Sequence, residues 1–163
     1  MSHCITSKVS AGAFDATVLD DACKRLNLPL SKYGSYNIEG RNVPGHAVQL
    51  PGFTKPAVFN DEVVIDAKTG RPALDVNGHP QKEVRCHWDN WNWRMAAEQS
   101  GGAVRPGYAD KAPVERLQKE YDKVLDDRTS TMVRQVREIA RRNNQATSLK
   151  EEADGVQVLT VSW

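Results

Sequence analysis

Three of the chain's four tryptophans, Trp88, Trp91 and Trp93, fall between Glu83 and Arg94, alternating with Asn90 and Asn92 and flanked by Arg85, His87 and Arg94. Cations, amides and ring faces interleaved in this way are what a single-stranded nucleic-acid platform uses, because every base offers a face to stack on and every nucleotide a phosphate to neutralise. The same residues also admit a structural reading. Val84, Cys86 and Trp88 alternate as the buried face of a strand, with Arg85 and His87 turned outward. Asp89 then caps a short helix in which Trp88 and Trp93 pack as a hydrophobic staple. Trp91 and Trp93 stand between the two readings, since an indole is costly to expose unless something stacks on it.

Two further groups could serve the same chemistry. Arg134, Arg137, Arg141 and Arg142 face only Glu138 along one stretch, which gives a helix a cationic end suited either to phosphate contacts or to its own dipole. Tyr33, Tyr36 and Arg41, with Lys32 and Lys55 nearby, extend a binding groove or form an ordinary solvated hairpin. The candidate nucleic-acid-binding residues are therefore Tyr33, Tyr36, Arg41, Arg85, Trp91, Trp93, Arg94, Arg134, Arg137, Arg141 and Arg142.

Other chemistries find little support. Asp66-Ala67-Lys68-Thr69-Gly70 has the lysine and threonine of a phosphate loop but no leading glycine and no following helix. Cys86 and His87 are adjacent on a strand and point to opposite faces, which argues against shared metal ligation. No cofactor, metal or catalytic role is expected. Cys4, Cys23 and Cys86 are odd in number and match no ligand spacing, so free thiols in a reducing, cytoplasmic setting are expected. A formal net charge of +1 over 163 residues provides no global field for polyanions, so any such site must come from local segregation of charge. With 39% hydrophobic and 26% charged residues, the sequence reads as one soluble domain, 1–163, with no membrane span and no basic, apolar signal segment at its start.

The elements that must position these groups follow from periodicity. Ile5, Ser7 and Val9 mark a first strand, ended by Ala11-Gly12-Ala13. Asp15 caps a helix whose face is Val18, Leu19, Ala22, Cys23 and Leu26, ending at Asn27-Leu28-Pro29. Short strands are expected at Tyr33 to Ile38 and His46 to Leu50, and a clearer one at Glu62 to Asp66. Asn77-Gly78 is a hairpin signal before the tryptophan-bearing strand. A helical pattern then runs from Val114 to Ala140. Unbroken to Asn143 it would be about 45 Å long, against a radius of gyration of roughly 15 Å for a domain of this size. It should either break near Thr129-Ser130-Thr131 or pack its excess length on another subunit. A C-terminal hairpin around Asp154-Gly155 closes the chain, its second strand half buried and Trp163 a core plug or subunit contact. The expected fold is α+β: a mainly antiparallel sheet built from the first strand, the meander and the C-terminal hairpin, with a short N-terminal and a long C-terminal helix, and not an OB-fold.

The opening Met1-Ser2-His3, the helix end Ala22-Cys23-Lys24-Arg25-Leu26-Asn27, and the close through Ser148 to Glu152, Asp154-Gly155 and Trp163 resemble a family of small proteins of unknown function. That family occurs in cyanobacteria, chloroplast genomes, other bacteria and phages. The likeness covers roughly the first 28 and last 35 residues. In size and in its mixed α and β order without an OB-fold pattern, the chain also resembles the Drc-like single-stranded-DNA-binding transcription regulators of lytic phages. That resemblance implies a homo-oligomer in the host cytoplasm, binding single-stranded DNA with little sequence preference and assisting a phage RNA polymerase. The alternative is a protein adaptor, its tryptophans interface anchors and its long helix a docking arm, because tryptophan and arginine are also the usual hot spots of protein interfaces.

Overall fold

Asp15 sets the first helix. Its side chain accepts a hydrogen bond from the Thr17 backbone N–H at 2.8 Å, a donor that helix geometry leaves unpaired, and a second from the Thr17 hydroxyl at 2.7 Å. Helix α1 (Ala16–Arg25) buries Val18, Leu19, Ala22 and Cys23, and the chain leaves it through Asn27 in the left-handed region at φ 59°. The computed structural model describes residues 4–89, 111–152 and 157–163, which fall into two compact units, residues 1–122 and 123–163.

In the first unit, strands β1 (Cys4–Ala11), β2 (Lys32–Ile38), β3 (Arg41–Val48), β4 (Ala57–Val63) and β5 (Lys82–Asp89) form one antiparallel sheet in the order β1-β5-β4-β3-β2. The sheet is open, with β1 and β2 at its edges, and does not close into a barrel. Glu39 and Gly40 join β2 to β3 with φ of 51° and 78°, the paired positive angles of a two-residue turn whose twist matches the strands. Two expected strands shift. β3 begins at Arg41 rather than His46, with Pro44 lying where only β2 pairs with it, so its missing N–H breaks no ladder on the β4 side. The fourth strand is Ala57 to Val63, not Glu62 to Asp66. Ala57, Val58 and Phe59 are all fully buried, so this strand is covered on both faces and shows no alternation to read. Residues 64–81 make only isolated bridges, Ile65 to Pro72 and Leu74 to Pro80, around turns held by Asp66 and Asp75.

One face of this sheet is packed by helices. The Phe59 ring lies 6.2 Å from Tyr121 and the Phe14 ring 6.0 Å from it, while the Tyr121 hydroxyl accepts from the Asp15 N–H at 3.0 Å, so a fully buried tyrosine keeps its polar tip satisfied. Gln118 reaches the same face and donates to the Ser7 hydroxyl at 2.6 Å. Val84 and Cys86 are sealed beneath, and Trp88 is buried as the alternation requires.

Helix α2 (Ala112–Arg142) runs unbroken for 31 residues, about 46 Å. Of the two alternatives read from the sequence, the break near Thr129-Ser130-Thr131 is absent: the Thr129 hydroxyl donates to Leu125 O at 2.9 Å and the Thr131 hydroxyl to Asp127 O at 2.8 Å. Each finds its partner one turn back instead of competing with the helix. Asn144 at φ 54° ends it, with Gln145 N–H donating back to Ala140 O at 2.8 Å. Strands β6 (Ala146–Glu151) and β7 (Gln157–Ser162) follow and pair only with each other, so the C-terminal hairpin is a sheet of its own and not part of the main one. A hairpin satisfies its inner hydrogen bonds without joining a larger sheet, and strand periodicity does not say which sheet a strand enters. The expected half-burial of β7 fails as well: it is exposed apart from Leu159, and Trp163, 99% exposed, is no core plug.

Candidate nucleic-acid interface

The sheet face opposite the helices carries a band of polar side chains from β1, β4 and β5. His87 was expected to point to solvent, yet it is 1% exposed. Its ring bridges three strands: Nε2 lies 3.1 Å from Asn60 Oδ1 and 3.3 Å from Glu62 Oε1, and Nδ1 lies 2.9 Å from the Thr6 hydroxyl. Asn60 spends its amide N–H on Pro44 O, which leaves its oxygen as the acceptor for Nε2–H and makes Nδ1 the acceptor for Thr6. Burial holds the His87 pKa below its ordinary value. Glu62 opposes that shift, and Arg41 and Arg85 reinforce it. The ring is a neutral staple between strands.

Arg85, a predicted phosphate contact, is held inside this band. Its guanidinium bonds Glu83, itself nearly buried, and its Nε lies 3.6 Å from Glu62, while Lys8 sits 3.5 Å from the other Glu83 oxygen. Two carboxylates already neutralise it. Lys55 is likewise tied to Glu39 at 3.3 Å and to buried Asp89 at 3.7 Å.

The two tyrosines do not form one platform. Odd spacing along β2 puts Tyr33 and Tyr36 on opposite faces. Tyr33 is 74% exposed and tilts against His46 with ring centroids 5.4 Å apart. Tyr36 packs on the cluster of Ile38, Val43, Ala47 and Val58, donates to Lys32 O at 3.0 Å, and lies so close over Gly34 that a Cβ there would meet its ring at 3.1 Å. Arg41 is exposed just past the β2–β3 turn. Trp91, Trp93 and Arg94, and any helix capped by Asp89, lie outside the described residues.

The arginines of α2 are placed differently. In the second unit, Arg134, Arg137, Arg141 and Arg142 are exposed and line a groove of about 960 Å3 with Val133, Ile139, Leu149 and Gln157 among its other walls. Glu138 is the single acid among its described lining residues. It accepts from Arg141 through Nε at 3.1 Å and a terminal nitrogen at 3.0 Å, and from Arg142 Nε at 3.1 Å. These contacts hold the Glu138 carboxyl below its usual pKa and raise that of Arg141. Among the described residues, no hydrogen bond or ion pair falls on Arg134 or Arg137. Guanidinium planes over an apolar floor suit an anionic ligand with flat apolar parts. The arginines were legible from sequence. Leu149 and Gln157 were not, because only the folded hairpin brings them to the helix.

Cys23 and Cys86 are buried thiols, pushed up to about 11 and about 12 by desolvation, and all three described cysteines are free. Among the described residues no cluster of ligands suits a metal ion, and no helix is long and apolar enough to cross a membrane. No family model, curated protein or solved structure matches the chain, so the groove in the second unit and the polar band in the first must be interpreted from their own chemistry.

Proposed function

We propose that the protein binds single-stranded DNA without needing a particular sequence, with the α2 groove as its phosphate track. The observation that carries this is the charge of that groove: four exposed arginines against one carboxylate, which is already shared by two of them. In a chain with a net charge of +1, four of the 22 lysines and arginines meet around one acid, the local segregation of charge that a polyanion site requires. The apolar side chains in the groove accept base or sugar faces, and on their sequence Trp91 and Trp93 are separate candidates for stacking. Stacking is worth about 1 to 3 kcal/mol per base and tolerates any base, so the reading includes no preferred sequence. Assistance to a phage RNA polymerase is the role this binding would serve.

Titration with an oligothymidine at several salt concentrations, followed by tryptophan fluorescence, tests the reading. The expected result is binding whose affinity falls steeply with salt. Each phosphate held adds about 0.7 to the slope of log K on log salt for a single strand. No binding at low salt, with the fold intact, rejects it and leaves a protein adaptor as the function.

A further inference from the structure

His87 spends both ring nitrogens inside the sheet, whereas His46 spends one. His46 belongs to a ladder of rings in the first unit that starts at buried Phe59, passes through Tyr121 and Phe14, and reaches His46 at 5.2 Å and Tyr33 at 5.4 Å. The ladder begins in the core and ends in a ring that is 74% exposed. Tyr33 and His46 are cross-strand partners in the β2–β3 register, which brings their side chains together. Phe14 is fixed by its backbone N–H, which donates to Asp61 Oδ2 at 3.0 Å. Among the described residues Tyr33 has a single ring contact and no hydrogen bond on its hydroxyl. The orientation of His46 follows from counting protons. The hydroxyl of Ser31, just before β2, lies 2.7 Å from Asp20 Oδ1 and 3.4 Å from His46 Nδ1, and the Ser31 backbone N–H donates to the same Asp20 oxygen at 3.1 Å. A carboxylate only accepts, so the Ser31 proton goes to Asp20 and the Ser31 oxygen accepts from Nδ1–H. The neutral ring then holds its lone pair on Nε2. No hydrogen bond or ion pair among the described residues uses Nε2, the ring is half-buried, and Nε2 is not one of the side-chain nitrogens buried without a partner.

We propose that Tyr33 and His46 form a site for one nucleobase, stacked on the exposed face of Tyr33 with an N–H of its edge donated to His46 Nε2. A ring face with an acceptor beside it selects this ligand. A phenylalanine ring has no donor, and a phosphate or carboxylate would meet only the lone pair, with the Asp20 charge beyond it. Each base carries N–H groups in the plane of the ring that stacks, and bases are read in this way on tyrosine and histidine side chains. Asp20 and Ser31 are positioning residues, which fix the nitrogen that accepts. The α2 groove holds phosphates whatever the bases are, whereas this site adds a contact to a base edge, which phosphate contacts cannot supply. It does not rest on the groove, because an uncharged nucleoside is enough to test it.

The test is a titration of the full chain with thymidine, followed by NMR of the His46 ring nitrogens and the Tyr33 ring. Beside it runs 3-methylthymidine, which keeps the base ring and lacks its N–H. In the free protein the His46 nitrogens should report the Nδ1–H tautomer, and Ser31→Ala should mix the two tautomers. Thymidine should move the resonances of both side chains, with the same affinity at low and at high salt. The methylated nucleoside should bind about two- to tenfold more weakly, the worth of one hydrogen bond. Tyr33→Leu, at an exposed position, should keep the parent's melting curve and lose the binding, and His46→Phe should bind the two nucleosides alike. Thymidine that leaves these resonances in place, a methylated nucleoside that binds as well as thymidine, or an Nε2–H tautomer in the free protein overturns the proposal. Tighter binding of N-acetyltryptophanamide than of thymidine at the same resonances overturns it too, and assigns the site to a protein partner.

Discussion

Arg85 and Arg137 carry the same charge in opposite surroundings. The first lies in a sheet face between Glu83 and Glu62; the second lies on a helix in a groove whose one described acid is engaged by Arg141 and Arg142. A half-buried arginine between two carboxylates, one of them nearly buried, recovers its partial desolvation inside the protein, and its contacts hold strands together. An exposed arginine whose neighbouring acid is engaged by two other arginines keeps more of its field for a ligand. Flanking aromatic residues, which made Arg85 a candidate phosphate contact, therefore say less about a cation's task than the local supply of acids does.

The largest expected effect tests the structural half of that contrast. Arg85→Ala leaves the Glu83 carboxylate, with its side chain 8% exposed, with Lys8 but without its guanidinium. Urea unfolding should show a loss of about 2 to 3 kcal/mol, below the full figure for breaking a buried pair because Lys8 remains. Oligothymidine affinity and its salt slope should stay as in the parent. A variant with unchanged stability and a flattened slope would erase the contrast. The next effect tests the other half. Arg134→Ala with Arg137→Ala should flatten the slope by about 0.7 for each phosphate that is no longer held, while unfolding moves by no more than about 0.5 kcal/mol.

The same contrast explains what could be read from the sequence. Strands β1 and β5, helix α1 with its Asp15 cap, and the α+β class all follow from alternation, spacing and one capping residue, which are local signals. The arginine run of α2 was equally local. The burial of His87 was not, because Thr6 and Asn60, the partners that let a polar ring lie inside, come from distant strands. β4 escaped because Ala57, Val58 and Phe59 are buried on both faces and carry no period. Thr129 to Thr131 left a break open as one of two alternatives, since hydroxyl and β-branched side chains disfavour helix on average. Their hydroxyls bond to carbonyls one turn back, partners that exist only once the helix has formed.

His87 yields a smaller effect with a definite sign. Its pKa in the folded protein lies below the ordinary 6.5, so the unfolded chain takes up a proton that the folded chain resists. Its stabilising contribution is complete above that value and declines as pH falls through it toward the folded-state pKa, below which it changes no further. Unfolding of the parent and of His87→Gln, compared between about pH 7.5 and 5, should show the parent's advantage shrinking as the solution becomes acidic. An advantage that grows on acidification would mean that the ring is charged inside the band, held by Glu62.

The smallest effect sharpens the comparison from the groove's side. Glu138 engages Arg141 and Arg142 but is exposed on the helix surface, so its ion pairs add little to stability and its work is local neutralisation. Glu138→Gln keeps the shape of the side chain and removes the charge, leaving all four arginines without a carboxylate among the groove's described lining residues. Binding to oligothymidine at low salt should tighten slightly and the salt slope should steepen, by at most about 0.7, the value of one further phosphate held. Stability should be unaltered. If binding instead weakens, the carboxylate is orienting the two guanidiniums toward the phosphates rather than competing with them, and geometry, not spare charge, sets the worth of those arginines.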